Sequence, residues 1–124
     1  MNIKLYFYIF IGSGLGGVLR FSISRFFIQF FPLHPFGTLV ANLLGMFLIG
    51  LFSVWSIDKS LIETPYKEMI LVGFLGGLTT LSSFGLESYN LLKEGRFDLL
   101  IYYFLGNIVI GFFLLIIGRI FAEF

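Results

Sequence analysis

Long intervals without a charged residue constrain this chain more than any other feature. No Asp, Glu, Lys or Arg occurs in Phe26–Ile57, Met69–Leu86 or Leu99–Gly118, and Leu5–Leu19 is a shorter interval of the same kind. A charge at the centre of a bilayer costs roughly 2.5–3.5 kcal/mol on insertion scales, and about 20 helical residues cross the hydrocarbon core. The intervals predict an all-α membrane protein with four transmembrane helices, in a single domain covering residues 1–124.

Composition indicates the same solvent. Of the 124 residues, 58% are hydrophobic and 12% are charged, and the mean hydropathy is +1.00. A soluble domain of this length cannot bury so much apolar surface in one core. We therefore expect a multi-pass protein surrounded by lipid, with approximate spans at residues 4–30, 37–57, 67–87 and 98–121.

The first span must continue past Arg20, because Leu5–Leu19 alone is too short to cross a bilayer. No convincing cleavage site precedes Arg20, so we interpret the segment as a retained span rather than a signal peptide. The Arg20 side chain has two open interpretations. It either snorkels to the far interface or projects into a water-filled vestibule.

The third span carries an unusual polar cluster, which follows three glycines in the stretch G-F-L-G-G-L-T-T-L-S-S-F at Gly73–Phe84. The cluster consists of four hydroxyl residues, Thr79, Thr80, Ser82 and Ser83. Four hydroxyls within five residues cannot all face one side of a continuous helix. Broken membrane helices occur where the freed backbone groups bind ions or line cavities. The pattern predicts a break near the middle of the third span, with a polar ligand bound there.

Other polar residues in the spans also need partners. Asn42 lies in an apolar helix, where it either makes an interhelical hydrogen bond, worth about 0.6–2 kcal/mol, or lines an ion path with its N–H donors. Asn107 and Tyr103 lie four residues apart, hence on one helix face, which we expect to meet protein. One thin bundle cannot easily satisfy all these groups, so oligomerisation is expected.

Charge balance gives no preferred orientation. Lys and Arg residues normally accumulate on the cytoplasmic side. Here one side receives Lys4, Lys59, Lys67 and Arg119, and the other receives Arg20, Arg25, Lys93 and Arg96. This balance favours insertion in both orientations, with two opposite copies forming an antiparallel homodimer. The alternative is one weakly chosen orientation.

At this point four motifs become informative together, because they occur in order along nearly the whole chain. They are G-x-G-x-G-G-x-x-R at Gly12–Arg20, G-T-L-x-x-N-x-x-G at Gly37–Gly45, the Gly73–Phe84 stretch, and E-G-R-F at Glu94–Phe97. With these motifs the chain resembles the CrcB/Fluc family of fluoride channels.

The resemblance implies a dual-topology homodimer in the inner or plasma membrane of a prokaryote, exporting fluoride passively. It implies a structural Na⁺ at the dimer centre, held by the backbone carbonyls of Gly76 and Thr79. It also implies an anion pathway and a vestibule. The pathway residues would be Asn42, Thr80, Leu81, Ser82, Ser83, Phe84 and Tyr103, and the vestibule residues Arg20 and Glu87.

One position departs from the family pattern. Two family phenylalanines present their positive ring edges to the anion; Phe84 matches the second, but Leu81 stands at the first. An aliphatic side chain has no such edge, so this contact is absent, replaced by another residue, or dispensable.

Other function classes fit less well. A proton-coupled four-helix exporter needs an acid inside the membrane, and the sequence suggests that Glu87 lies at an edge of the third span. A non-conducting accessory subunit would not need hydroxyls at a break. An enzyme is not expected, because the chain has no cysteine, one histidine and no buried acid pair. No nucleic-acid partner is expected either.

Overall fold

Every regular element of this protein is helical. The structure is a computed structural model that describes residues 1–124. Four helical stretches are long and apolar enough to cross a membrane, which confirms the predicted four-span, all-α architecture. The helices are α1 (Ile3–Phe30), α2 (Phe36–Asp58), α3 (residues 66–78), α4 (Leu81–Lys93) and α5 (Phe97–Glu123), where α3 and α4 are the two halves of the third span, Tyr66–Lys93.

Residues outside the apolar runs set the helix ends. The side chain of Asn2 caps α1 by accepting a hydrogen bond from the Leu5 N–H at 3.3 Å. At the end of α4, Gly95 adopts φ +70°, which glycine tolerates because it has no Cβ. Its N–H donates to the Leu92 carbonyl, and the Arg96 N–H donates to the Leu91 carbonyl. This Schellman arrangement reverses the chain into α5.

The third span leaves helical geometry between α3 and α4. Thr79 has φ −90° and ψ 153°, and Thr80 has φ −149° and ψ 123°, so both residues are extended. These two residues lie within the hydroxyl cluster of the Gly73–Phe84 stretch.

Glycines bring the helices into close contact. Gly16 of α1 packs so tightly on the backbone of α3 that an added Cβ would clash with the Phe74 carbonyl. Gly118 of α5 and Gly50 of α2 likewise lie directly against backbone atoms of the opposing helix. Small residues allow such approach in lipid, where packing rather than the hydrophobic effect drives helix association.

The protomer has little interior of its own. Only 20 of its 124 residues are buried, and most of the large apolar side chains remain exposed. Six of the buried residues form two small apolar clusters, one of Ala41, Leu75 and Leu78, and another of Phe84, Leu91 and Tyr103. An exterior of this kind is suited to lipid and to a partner rather than to water.

Polar contacts tie the helix ends together. On one side of the bundle, the Arg96 guanidinium of the α4–α5 turn donates to the Leu33 carbonyl of the α1–α2 turn. On the other side, Arg119 pairs with Asp58, linking the ends of α5 and α2. These contacts hold the connecting turns at fixed positions around the spans.

Candidate functional site

A cavity of about 330 Å³ opens beside the interruption of the third span, and we call it the break cavity. It lies where α2, α3, α4 and α5 approach one another. Six of the residues that line it are chemically informative: Asn42, Gly76, Thr79, Thr80, Leu81 and Phe84. Asn107 of α5 also faces this cavity.

Asn42 bonds to both backbone groups of Thr80. Its Oδ1 accepts from the Thr80 N–H at 2.8 Å, and its Nδ2 donates to the Thr80 carbonyl at 3.2 Å. In a continuous helix these two groups would bond along the third span itself. The side-chain oxygen of Asn42 therefore replaces the backbone acceptor that the Thr80 N–H lacks at the interruption, and Nδ2 adds a further bond to the Thr80 carbonyl.

The second bond of Asn42 Nδ2 goes to α5. Nδ2 donates to Oδ1 of Asn107 at 2.8 Å, and Asn107 Nδ2 donates to the Tyr103 carbonyl at 2.9 Å. Both N–H donors of Asn42 are thus engaged by protein. The sequence left two hypotheses for Asn42: an interhelical hydrogen bond, or N–H donors that line an ion path. The structure shows the interhelical hydrogen bond.

Two backbone carbonyls at the interruption lose their usual donors. The Thr80 N–H, which would bond to Gly76 in a helix, turns to Asn42 instead. The Ser83 N–H, which would bond to Thr79, donates to Thr80 Oγ1 at 3.1 Å. Carbonyl oxygens released in this way at Gly76 and Thr79 are suitable ligands for a hard cation.

Arg20 bonds to the same region from the other side of α3. Its Nε donates to the Gly77 carbonyl at 3.0 Å, and the side chain is half-buried. Arg20 therefore places a positive charge at the C-terminal end of α3, where the helix carries partial negative charge. The structure places it against the backbone of the third span.

The other hydroxyls lie in the first turn of α4. Thr80 caps this helix through Oγ1, which is also 3.2 Å from Ser82 Oγ. Ser82 is exposed and Ser83 is half-buried. The hydroxyls of Thr80 and Ser82 therefore surround a helix N-terminus, which carries partial positive charge.

The two positions of the family aromatic pair lie in different surroundings. Phe84 is buried, with its ring centroid 5.2 Å from that of Tyr103 and 4.8 Å from that of Phe104. Leu81 is 80% exposed on the protomer surface. Only Phe84 is therefore held in place by contacts within one chain.

Glu87 lies one turn further along α4 and faces protein. Thr38 Oγ1 donates to its Oε1 at 2.9 Å, and the Tyr103 hydroxyl donates to its Oε2. Glu87 is thus half-buried among α2, α4 and α5. Thr38 was not predicted as a site residue, although it is a hydroxyl in the apolar start of α2 and lies within the G-T-L motif.

Tyr103 connects these groups. Its carbonyl accepts from Asn107, and its hydroxyl donates to Glu87. A polar line therefore runs through otherwise apolar helices, in the order Thr80, Asn42, Asn107, Tyr103, Glu87 and Thr38.

The line ends beside a second cavity of about 260 Å³, the turn cavity, which Glu87 lines together with His34, Asn90, Glu94 and Arg96. The polar line thus extends from the break cavity, near the middle of the third span, to the connecting turns at one end of the bundle.

Comparison with known proteins identifies the family. Residues 7–119 match the family described as "CrcB-like protein, Camphor Resistance (CrcB)". The chain is 37% identical over 123 residues to a protein of Azobacteroides pseudotrichonymphae, with 98% of each chain covered. It is 37% identical over 118 residues to a protein of Aquifex aeolicus, covering 94% of this chain and 95% of the relative. A protein of Escherichia fergusonii is 46% identical over 98 residues, which cover 77% of this chain and 75% of the relative.

Each of these relatives carries the name "Fluoride-specific ion channel FluC". The matched segment includes all four spans except their outermost residues. This multi-pass membrane protein belongs to the CrcB-like family.

Proposed function

We propose that this protein is a fluoride-selective channel that releases fluoride passively across the cell membrane. The observation that carries this proposal is the polar line from the break cavity to Glu87, which crosses an otherwise apolar bundle. Polar and ionisable residues are rare inside membrane bundles because burying them is costly, and those present often mark ion pathways. The relatives named as fluoride channels support fluoride as that ion.

The surroundings of the break cavity favour an anion. The N-terminus of α4 carries partial positive charge. Phe84 is the aromatic neighbour that can turn a positive ring edge to fluoride. Arg20, on the side of α3 that faces α1, adds a full positive charge near the end of that helix, and this charge raises the local anion concentration. Thr80, Ser82 and Ser83 supply hydroxyl donors along the first part of the path.

The working unit in this proposal is an antiparallel homodimer with two pathways. Lys and Arg residues are divided four against four between the two sides of the bundle. The exposed Leu81 and the open face at Gly76 leave the break region uncovered in one protomer. A second, inverted copy covers this region and brings the two interruptions together across a two-fold axis.

The inverted arrangement has a direct test. The chain contains no cysteine, so a single Phe124→Cys substitution gives a unique label at the C-terminus. In intact cells, an impermeant maleimide should label part of the protein, and permeabilisation should expose the remainder. Labelling from one side alone would contradict dual topology.

A structural Na⁺ fits the same centre. The carbonyls of Gly76 and Thr79 have lost their helical donors, and an added Cβ at Gly76 would meet no atom within 4 Å. Sodium accepts oxygen ligands of this kind without requiring a carboxylate. Two copies would supply four carbonyls. The ion would offset the partial negative charge of both α3 ends and hold the two copies together.

Leu81 modifies the proposed pathway. Phe84 is fixed within the protomer by Tyr103 and Phe104, whereas Leu81 projects from its surface. The family's first aromatic edge is therefore missing from a position that the second copy would cover. In this protein Phe84 carries the aromatic contact with the anion.

One observation favours a second candidate, a proton-coupled exporter. Glu87 is half-buried and accepts hydrogen bonds from Thr38 and Tyr103, so an acid does lie within the bundle. In a carrier, such a carboxyl group could bind a proton and release it again during each transport cycle. The two candidates differ in what compensates the charge of fluoride.

Fluoride efflux from liposomes separates these candidates. Purified protein is placed in vesicles loaded with potassium fluoride at equal internal and external pH, and a fluoride electrode records release. A channel should release fluoride only after valinomycin provides a path for potassium. A second set of vesicles carries an imposed pH gradient. Efflux that ignores valinomycin and appears only with this gradient would support the exporter instead, and silence under both conditions would reject both candidates. Chloride-loaded vesicles test selectivity, and vesicles without protein give the leak.

A further inference from the structure

Asn107 holds a key place in the polar line, although no motif of the sequence singled it out. We propose that Asn107 is a positioning residue that fixes the orientation of the Asn42 side-chain amide, and through it the extended backbone of Thr80. This inference rests on the proposed function, because the conduction readout assumes a fluoride channel. Its structural content rests on the hydrogen bonds of three helices alone.

The direction of the bonds follows from one backbone group. A carbonyl can only accept, so the bond to the Tyr103 carbonyl requires Nδ2 of Asn107 on that side. Oδ1 of Asn107 then points to α2, where it can only accept. Asn42 must therefore turn Nδ2 towards it, as observed at 2.8 Å.

The same orientation satisfies the other end of Asn42. With Nδ2 directed to Asn107, its Oδ1 faces the Thr80 N–H, which can only donate. A flip of the Asn42 amide would place two acceptors together at Asn107 and two donors together at Thr80. The Tyr103 carbonyl and the Thr80 N–H thus determine the orientation from opposite ends, with Asn107 relaying the first of them.

Local structure in α5 explains how Asn107 reaches α2. Asn107 lies in a π-helical turn, Gly106–Ile110. An added Cβ at Gly106 would lie 3.0 Å from Leu39 Cδ1, so the missing side chain permits close approach of α5 to α2. π-Helical turns often accompany functional positions because they shift the facing of a side chain. Here the turn places an amide against Asn42.

Asn107 also affects the backbone at the interruption, because it acts on Asn42. Asn42 makes two bonds to Thr80, which is the N-cap of α4 and the residue after Thr79. A fixed Asn42 therefore holds the Thr80 peptide and the start of α4 in one arrangement. Without Asn107, the Asn42 amide is held by Thr80 alone, and the extended segment loses its tether to α5.

The first test is independent of conduction. In Asn107→Leu, which approximates the side-chain volume but has no polar atom, the NMR signals of the Asn42 side-chain NH₂ group should show at least tenfold faster hydrogen exchange. Val109→Ala is the matched control, because Val109 lies in the same π-helical turn and does not line the break cavity. Unchanged Asn42 exchange in Asn107→Leu would overturn the inference, even if the wild type does not conduct fluoride.

The second test measures coupling. Asn107→Leu should lower fluoride efflux about tenfold while the dimer persists in size-exclusion chromatography. In an Asn42→Ala background, the same substitution should change efflux less than twofold, because Asn107 acts through Asn42. Losses that multiply in the double variant would overturn the inference. Asn107→Ala repeats both measurements if the leucine variant does not fold, and a silent wild type would reject the proposed function separately.

Discussion

The two sides of α3 use glycine in opposite ways. On the side facing α1, a Cβ added to Gly73 would lie 2.7 Å from the Ile9 carbonyl, and one added to Gly77 would lie 2.5 Å from the Ser13 carbonyl. On the other side, a Cβ at Gly76 would meet no atom within 4 Å. One side is closed by helix packing, and the other is open beside the break cavity.

This contrast separates structural glycines from site glycines. Gly73 and Gly77 lie four residues apart, so they form one face that allows the backbones of α1 and α3 to touch. Gly76 makes no such contact within the protomer. Its carbonyl has instead lost a helical donor to Asn42. The closed side fixes α3 in the bundle, and the open side is where we propose that backbone groups meet an ion or a second copy.

The largest effect is expected on the closed side. Gly16→Ala places a Cβ against the Phe74 carbonyl, with the Leu78 nitrogen only 2.8 Å away. Neither backbone atom can move cheaply, so the substitution should destabilise the protomer by roughly 1–3 kcal/mol or prevent its folding. Thermal unfolding in detergent measures this loss. Gly17→Ala, whose Cβ would meet no atom within 4 Å, is the adjacent control and should leave the midpoint nearly unchanged.

Phe84→Leu should give the next largest effect, and it acts on conduction rather than folding. Leucine keeps most of the buried apolar volume beside Tyr103 but removes the ring edge that we assign to the anion. We expect fluoride efflux to fall about tenfold, equivalent to about 1.4 kcal/mol of barrier. Phe112→Leu, at an exposed lipid-facing position, controls for loss of a ring. Equal efflux from both variants would remove Phe84 from the pathway.

Gly76→Ala tests the open side of α3, because it should weaken the dimer without destabilising the protomer. The added methyl meets nothing within 4 Å, and alanine favours helix over glycine, so the unfolding midpoint should not fall. Dimer dissociation should become roughly two- to fivefold easier if this side faces the second copy and its sodium ion, with a factor of five equivalent to about 1 kcal/mol. Single-molecule photobleaching across a range of sodium concentrations measures this change. A variant with unchanged dimerisation and unchanged sodium dependence would place the interface elsewhere.

The sequence determines the positions of the spans more fully than it determines which polar residues of different spans bond to each other. The four membrane helices were predictable because a buried charge is penalised wherever it occurs, so a local count of charged residues finds them. Irregular backbone could also be located from neighbouring residues alone. The hydroxyls from Thr79 onwards cannot share one face of a continuous helix, and Thr79 and Thr80 are the residues with extended dihedral angles.

The hydrogen bonds between spans could not be predicted from neighbouring residues in the sequence. Thr80 bonds to a residue 38 positions earlier, and Thr38 reaches Glu87 across 49 positions. No periodicity in one helix specifies which polar group of another helix it meets. The three glycines of α3 were equally ambiguous, because their roles depend on what stands opposite each one. Sequence alone therefore supplied many of the candidate residues of the site, but not Thr38, the engagement of Asn42 or the half-buried position of Glu87.

The smallest effect is expected for Leu81→Phe. The side chain is 80% exposed in the protomer, so a larger ring disturbs no packing within the chain, and the unfolding midpoint should not change. If the inverted copy covers this position, the new ring adds a second positive edge beside the anion, and efflux should rise about two- to threefold. Leu81→Met, which changes the shape without adding a ring, should leave efflux unchanged. A rise with both residues would indicate a volume effect at the dimer interface, whereas no rise with phenylalanine would show that Phe84 alone supplies the aromatic contact that this pathway requires.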